Sequence, residues 1–152
     1  MHRHISTLAL ILLVAGTAAA QERKITRADL PAAVERTVAA QSQGATIRGF
    51  AEEKEKGQTF YEVELTVAGH TKDVLIDASG TVLEVEEQVE LSALPAPVRT
   101  ALLARAGAGK IETVESLTKR GTLVAYEAHV VTNGKRSEIQ VGPDGKRLAE
   151  EQ

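Results

Sequence analysis

The sequence predicts an α+β protein built from two tandem repeats, each one helix packed on a four-stranded antiparallel meander sheet. Three observations predict it: an internal duplication, an apolar helical stripe opening each copy, and period-two alternation between turn signals. The duplication sets Leu30-Pro31-Ala32-Ala33-Val34 against Leu94-Pro95-Ala96-Pro97-Val98, an offset of 64 residues. At the same offset Val38 matches Leu102, Ile47 matches Ile111 and Gly57 matches Gly121. Beyond them the offset becomes 65: Tyr61-Glu62 matches Tyr126-Glu127, Gly69 matches Gly134, Val74 matches Ile139, Gly80 matches Gly145 and Leu83 matches Leu148. One inserted residue in a hairpin accounts for the change.

In chain order, Met1 to Ala20 comes first. A basic start, an apolar run from Leu8 to Ala15 and small residues at Ala18 and Ala20 form a secretory signal, with cleavage expected near Ala20. The run is too short for a stable membrane span, and no later segment is apolar enough to be one. The expected organisation is therefore signal peptide over residues 1–20, repeat one over 21–90 and repeat two over 91–152, in a periplasmic or secreted protein.

Each repeat then follows the same order. Leu30, Val34 and Val38 recur at helical spacing, as do Leu94, Val98 and Leu102, giving one apolar stripe per helix. Pro31 and Pro95 suit a first helical turn, and Gly44 and Gly107-Ala108-Gly109 suit helix exits. Strands follow: Tyr61, Val63, Leu65 and Val67 share one face, while Phe60, Glu62, Glu64 and Thr66 share the other. Turns fall at Lys56-Gly57-Gln58, Ala68-Gly69-His70 and Asp77-Ala78-Ser79-Gly80. Their counterparts are Lys119-Arg120-Gly121, Asn133-Gly134 and Gly142-Pro143-Asp144-Gly145.

Composition narrows the function. The 152 residues contain no cysteine, which excludes disulfides, a thiolate nucleophile, thiolate-ligated zinc and iron–sulfur sites. A net charge of −3 and 3% aromatic residues argue against a nucleic-acid groove. Loss of the signal removes His2 and His4, leaving His70 and His129, each without a second ligand at metal-binding spacing. No phosphate loop, nucleophile elbow or carboxylate pocket is recognisable, so neither catalysis nor a cofactor or metal is expected. The runs Glu52-Glu53-Lys54-Glu55 and Glu84-Val85-Glu86-Glu87 read as solvated faces.

If the helices cover one sheet face, the other is left for a partner. In repeat one that face carries Phe60, Glu62, Glu64, Leu75 and Glu84; in repeat two it carries Glu127, His129, Val131, Gln140 and Arg147. Apolar groups among charges suit a protein-binding surface, the expected partner being an exported or envelope protein. From Leu30 to Glu90 there are twelve acidic residues against five basic, and from Leu91 onward seven against nine. Such opposite balances are compatible with docking of one repeat on the other, with head-to-tail self-association, with steering of an elongated partner that has basic and acidic ends, or with drift after duplication. The alternative function is a ligand or cation sensor acting through the acidic first repeat.

The run from Tyr61-Glu62-Val63-Glu64-Leu65 through Gly69 to Val74-Leu75-Ile76-Asp77-Ala78-Ser79-Gly80-Thr81-Val82-Leu83 resembles the PepSY-like family. The Leu-Pro-Ala-Ala-Val opening and Ala45-Thr46-Ile47 fit the same pattern, and the tandem arrangement is similar to the beta-lactamase-inhibitor-protein-like branch. Repeat two departs from it, with Gly142-Pro143-Asp144-Gly145 in place of the Asp-Ala-Ser-Gly hairpin and Ala128-His129 in place of Val63-Glu64. The resemblance implies an exported, non-catalytic module that binds or inhibits peptidases or other envelope proteins.

Overall fold

A computed structural model describes residues 21–150 and 152. The signal peptide expected over residues 1–20 lies outside the described residues. Two short-loop meanders meet in one sheet. The first contains strands β1 (Gln21–Ile25), β2 (Thr46–Glu55), β3 (Gln58–Val67), β4 (His70–Asp77) and β5 (Val82–Gln88), with helix α1 (Ala32–Gln41) between β1 and β2. The second contains helix α2 (Ala96–Ala106) followed by β6 (Lys110–Lys119), β7 (Thr122–Thr132) and β8 (Lys135–Val141). All eight strands pair antiparallel in chain order.

This corrects the expectation of two repeats, each a helix on its own four-stranded sheet. The α+β character stands, but the halves share one continuous sheet because β5 pairs with β6, from Glu84 opposite Lys119 to Gln88 opposite Glu115. The division of strands also differs. Residues 21–25 pair with β2 as a fifth strand of the first half, whereas no strand follows β8 among the described residues. Every strand except β1 and β8 therefore has both edges satisfied, which a sheet broken after β5 would not achieve.

Local chemistry explains the connections. The two central residues of four hairpins, Lys56-Gly57, Ala68-Gly69, Arg120-Gly121 and Asn133-Gly134, all have positive φ. That is the type I′ conformation, whose twist matches the strands it joins. Pro31 and Pro95 stand at the N-caps, one residue before the first helical turns.

Both helices lie on the same sheet face. Val34 and Val38 of α1 pack with Tyr61, Val63, Leu65, Val74 and Ile76. Val98 and Leu102 of α2 pack with Leu94, Val114, Ala128, Val130 and Val141. Through the pairings Val63–Val74–Val85–Thr118, the register carries this face unbroken from β3 to β6. Alternation consigns the remaining residues of each strand to the opposite face, which neither helix covers.

Candidate functional site: the uncovered acidic sheet face

The uncovered face is assembled by cross-strand register. One line runs Lys24–Ala51–Glu62–Leu75–Glu84–Lys119 across β1 to β6. A second runs Gly49–Glu64–Asp73–Glu86–Leu117–Ala125 across β2 to β7. A third runs Gln88–Glu115–Glu127–Gln140 across β5 to β8. Neighbouring side chains on such lines stand about 5 Å apart, so carboxylates meet at contact distance.

Of the residues expected on this face, Phe60, Glu62, Glu64, Leu75, Glu84, Glu127, His129, Val131 and Gln140 occupy it by register. Arg147 does not: it follows the last strand, outside the sheet. The sequence reading missed Glu53, Asp73, Glu86, Glu115 and Arg48. Periodicity shows their face but not their neighbours, because partners across a ladder are set by strand pairing.

Three environments result. In the first, Arg48 supplies the cation: its guanidinium reaches Asp73 at 2.7 Å, Glu64 at 3.6 Å and the Leu65 carbonyl at 3.1 Å. Burial pushes Asp73 up to about 6, with Arg48 opposing the rise. Lys119 similarly stands 3.5 Å from Glu84.

In the second, His129 is ringed by carboxylates. Its Nε2 lies 3.2 Å from Glu115 and 3.6 Å from Glu127, and its Nδ1 lies 3.6 Å from Glu138. The hydrogen bond to Glu115, then the surrounding negative charge, raises the imidazole above its ordinary value against the cost of burial. His129 is half-buried, and its carboxylate neighbours favour the imidazolium form. Burial raises Glu127, opposed by a hydrogen bond from Gln140 at 2.6 Å. Glu115, Glu127 and His129 could also present one ligand atom each within 4.8 Å of one another.

The third environment consists of carboxyls outside any ion pair. Among the described residues Glu53, Glu62 and Glu86 make no ion pair. Burial, followed by the charges of Asp73 and Glu53, pushes Glu62 up to about 8, and it hydrogen-bonds to Glu53. Burial also raises Glu53. Glu86 is pushed up to about 9 by burial and by Glu115, Glu84, Glu127 and Glu62. Values this high favour the protonated forms of Glu62 and Glu86 near neutrality, and either a rise in pH or a nearby cation favours their ionisation.

Comparisons with known proteins bear on the fold. No family model matches the chain, and no curated protein matches it. Among solved structures it is similar to a DUF2874 family protein from Bacteroides ovatus, at 18% identity and TM-score 0.62, covering 80% of this chain and 85% of that one. It is also similar to a BLIP-like protein from Bacteroides fragilis, at 21% identity and TM-score 0.60, with the same coverages of 80% and 85%. A proposed periplasmic protein from Bacteroides eggerthii matches at 17% identity and TM-score 0.63, over 77% of this chain and 84% of that one. The fold is of the BLIP-like type. The PepSY-like part of the resemblance finds no counterpart among these matches. No helix among the described residues is long and apolar enough to cross a membrane.

Proposed function

We propose that the protein is an exported, non-catalytic binding module that engages an envelope protein through its uncovered sheet face. The observation that carries this reading is the set of half-buried carboxyl groups, Glu53, Glu62 and Glu86, that stand on an open face without an ion-pair partner. Keeping such groups together costs stability, and a face shaped only for folding would replace them with apolar residues at little loss. The BLIP-like fold and the periplasmic description of a structural neighbour support the same reading at the level of architecture.

The test is a crosslinked capture from envelope extract of the protein's own source, with the double variant Glu62→Lys, Glu64→Lys alongside and circular dichroism to verify folding. One dominant partner, lost with the folded double variant, is the expected result. Equal capture by both forms would remove the sheet face from the function.

A further inference from the structure

We propose that the occupant of this face is a polypeptide segment bearing arginine or lysine, whose cations settle beside the carboxyl groups of Glu53, Glu62 and Glu86. The inference rests on the binding-module reading and names the class of partner.

Charge complementarity selects the occupant. Glu62 on β3 faces Glu53 on β2, Asp73 on β4 and Glu64 on its own strand; of these, Asp73 and Glu64 already share Arg48. Glu86 on β5 faces Glu115 on β6, Glu127 on β7, Glu62 on β3 and Glu84 on its own strand; of these, Glu84 already holds Lys119 and both Glu115 and Glu127 hold His129. Arg48, Lys119 and His129 are therefore committed to the neighbours, and Lys24, exposed at the β1 edge of this face, pairs with none of Glu53, Glu62 and Glu86.

Spacing favours a chain over a single ion. Glu62 and Glu86 are separated by two strand steps and two residues along the strand, about 12 Å between backbones at ordinary sheet spacings. An extended segment advances about 13 Å over four residues, so basic side chains at i and i+4 would reach both sites. Leu75, half-buried and directly opposite Glu62, offers apolar surface to the aliphatic stem of Arg or Lys. A divalent ion needs converging ligands instead. The set formed by Glu115, Glu127 and His129 converges, but a metal there would compete with a proton that the same carboxylates hold on His129 more firmly than on an ordinary histidine.

Proton linkage gives the reading a signature. A cation favours the ionised carboxylate, so binding expels the protons of Glu62 and Glu86, and affinity rises with pH until both are ionised in the free protein.

The experiment is calorimetric titration of the exported protein, purified from an expression host's periplasm, with an extended Gly/Ser peptide carrying arginines at i and i+4. The control peptide has citrulline, a neutral isostere, at both positions. Both peptides are acetylated and amidated at their ends and arginine keeps its charge throughout, so any pH dependence belongs to the protein. The expected result is binding at least tenfold tighter than that of the citrulline peptide. Affinity should rise about tenfold or more between pH 6 and pH 9, and the heats at pH 7 should change with the buffer's ionisation enthalpy, reporting proton release. Glu62→Gln and Glu86→Gln, which keep shape and remove charge, should each weaken binding and flatten the pH dependence.

Equal binding of both peptides, no binding of either, or an affinity indifferent to pH would overturn the proposal. So would calcium, magnesium or zinc raising the melting temperature while the arginine peptide gives no heat. If the arginine peptide fails but the Glu62→Lys, Glu64→Lys protein still loses its captured partner, the binding face stands and only the cationic class of partner is wrong.

Discussion

His129 Nε2 stands 3.2 Å from Glu115 Oε2 across the β6–β7 ladder, joining a half-buried imidazole to the most deeply buried carboxylate on the open face. Glu127 and Glu138 add negative charge from either side, and the imidazole is raised by this company. In an NMR titration His129 should protonate above the ordinary histidine value of about 6.5. Glu115→Gln should lower its midpoint, since the first cause of the shift is removed. A His129 midpoint at or below 6.5 would contradict the geometry. A group raised in the folded state stabilises fully below its unfolded pKa. The His129 contribution is therefore present below about pH 6.5 and lost as pH rises through the higher folded value.

Glu62 and Glu86 carry the same sign over a wider window. Their folded values, about 8 and about 9, lie above the ordinary carboxyl value of 4.5. The folded state binds more protons than the unfolded chain between these limits, so stability falls as pH rises from about 5 to 9. Thermal melts across that range should show a declining midpoint. Glu86→Gln should raise the midpoint at pH 9 and reduce the decline, by several degrees if the change is worth about 1–2 kcal/mol. A midpoint that climbs toward pH 9 would be the opposite of what buried, protonated carboxyls require.

Two glycines tie turns to helices. A Cβ at Gly80, where φ is +89°, would lie 2.7 Å from the Ala33 carbonyl oxygen of α1; at Gly145, where φ is +80°, it would lie 2.6 Å from that of Pro97 in α2. Backbone cannot move aside as a flexible side chain can. Gly80→Ala and Gly145→Ala should each cost about 2–4 kcal/mol, read by denaturant unfolding. Gly69→Ala, in a hairpin with open space around it, meets no such contact and should cost less.

The shared sheet makes a claim about cooperativity. Leu65 and Leu102 are fully buried in different halves, one under α1 and the other within α2. Because β5 and β6 are hydrogen-bonded neighbours, both halves should unfold in one transition. Leu65→Ala and Leu102→Ala should each lower that transition by about 2–5 kcal/mol. Two separated transitions, each moved by only one variant, would show that the halves behave as independent units.

Much of the local architecture was legible in the residues. Val34 and Val38, four apart, marked the buried side of α1, and Asn133-Gly134 marked a tight hairpin through its tolerance of positive φ. The strand alternation around Glu62 assigned it to the face opposite Val63, where the structure places it. Arg147 was misplaced because the second half was expected to end as the first does, and among the described residues no strand follows β8.

The character of Glu86 was not legible. In sequence it belongs to an acidic run that reads as solvated surface; in the fold it stands between Asp73 and Leu117, with Glu115 and Glu127 near enough to hold its proton in place. Periodicity of two determines which face a residue occupies, because that follows from the pleat of its own strand. Which residues stand beside it on that face depends on strand order and register, and these are settled by pairing between segments distant in the chain. Local residue patterns thus sufficed for the helices, the hairpins and the acidic character of the open face. Long-range strand pairing set the rest: β5 joins β6 in one sheet, and Arg48, Lys119 and His129 serve some of its carboxyl groups while Glu53, Glu62 and Glu86 make no ion pair among the described residues. Ionisation depends on the charges and burial within a few ångströms, and those neighbours come from strands the local sequence cannot name.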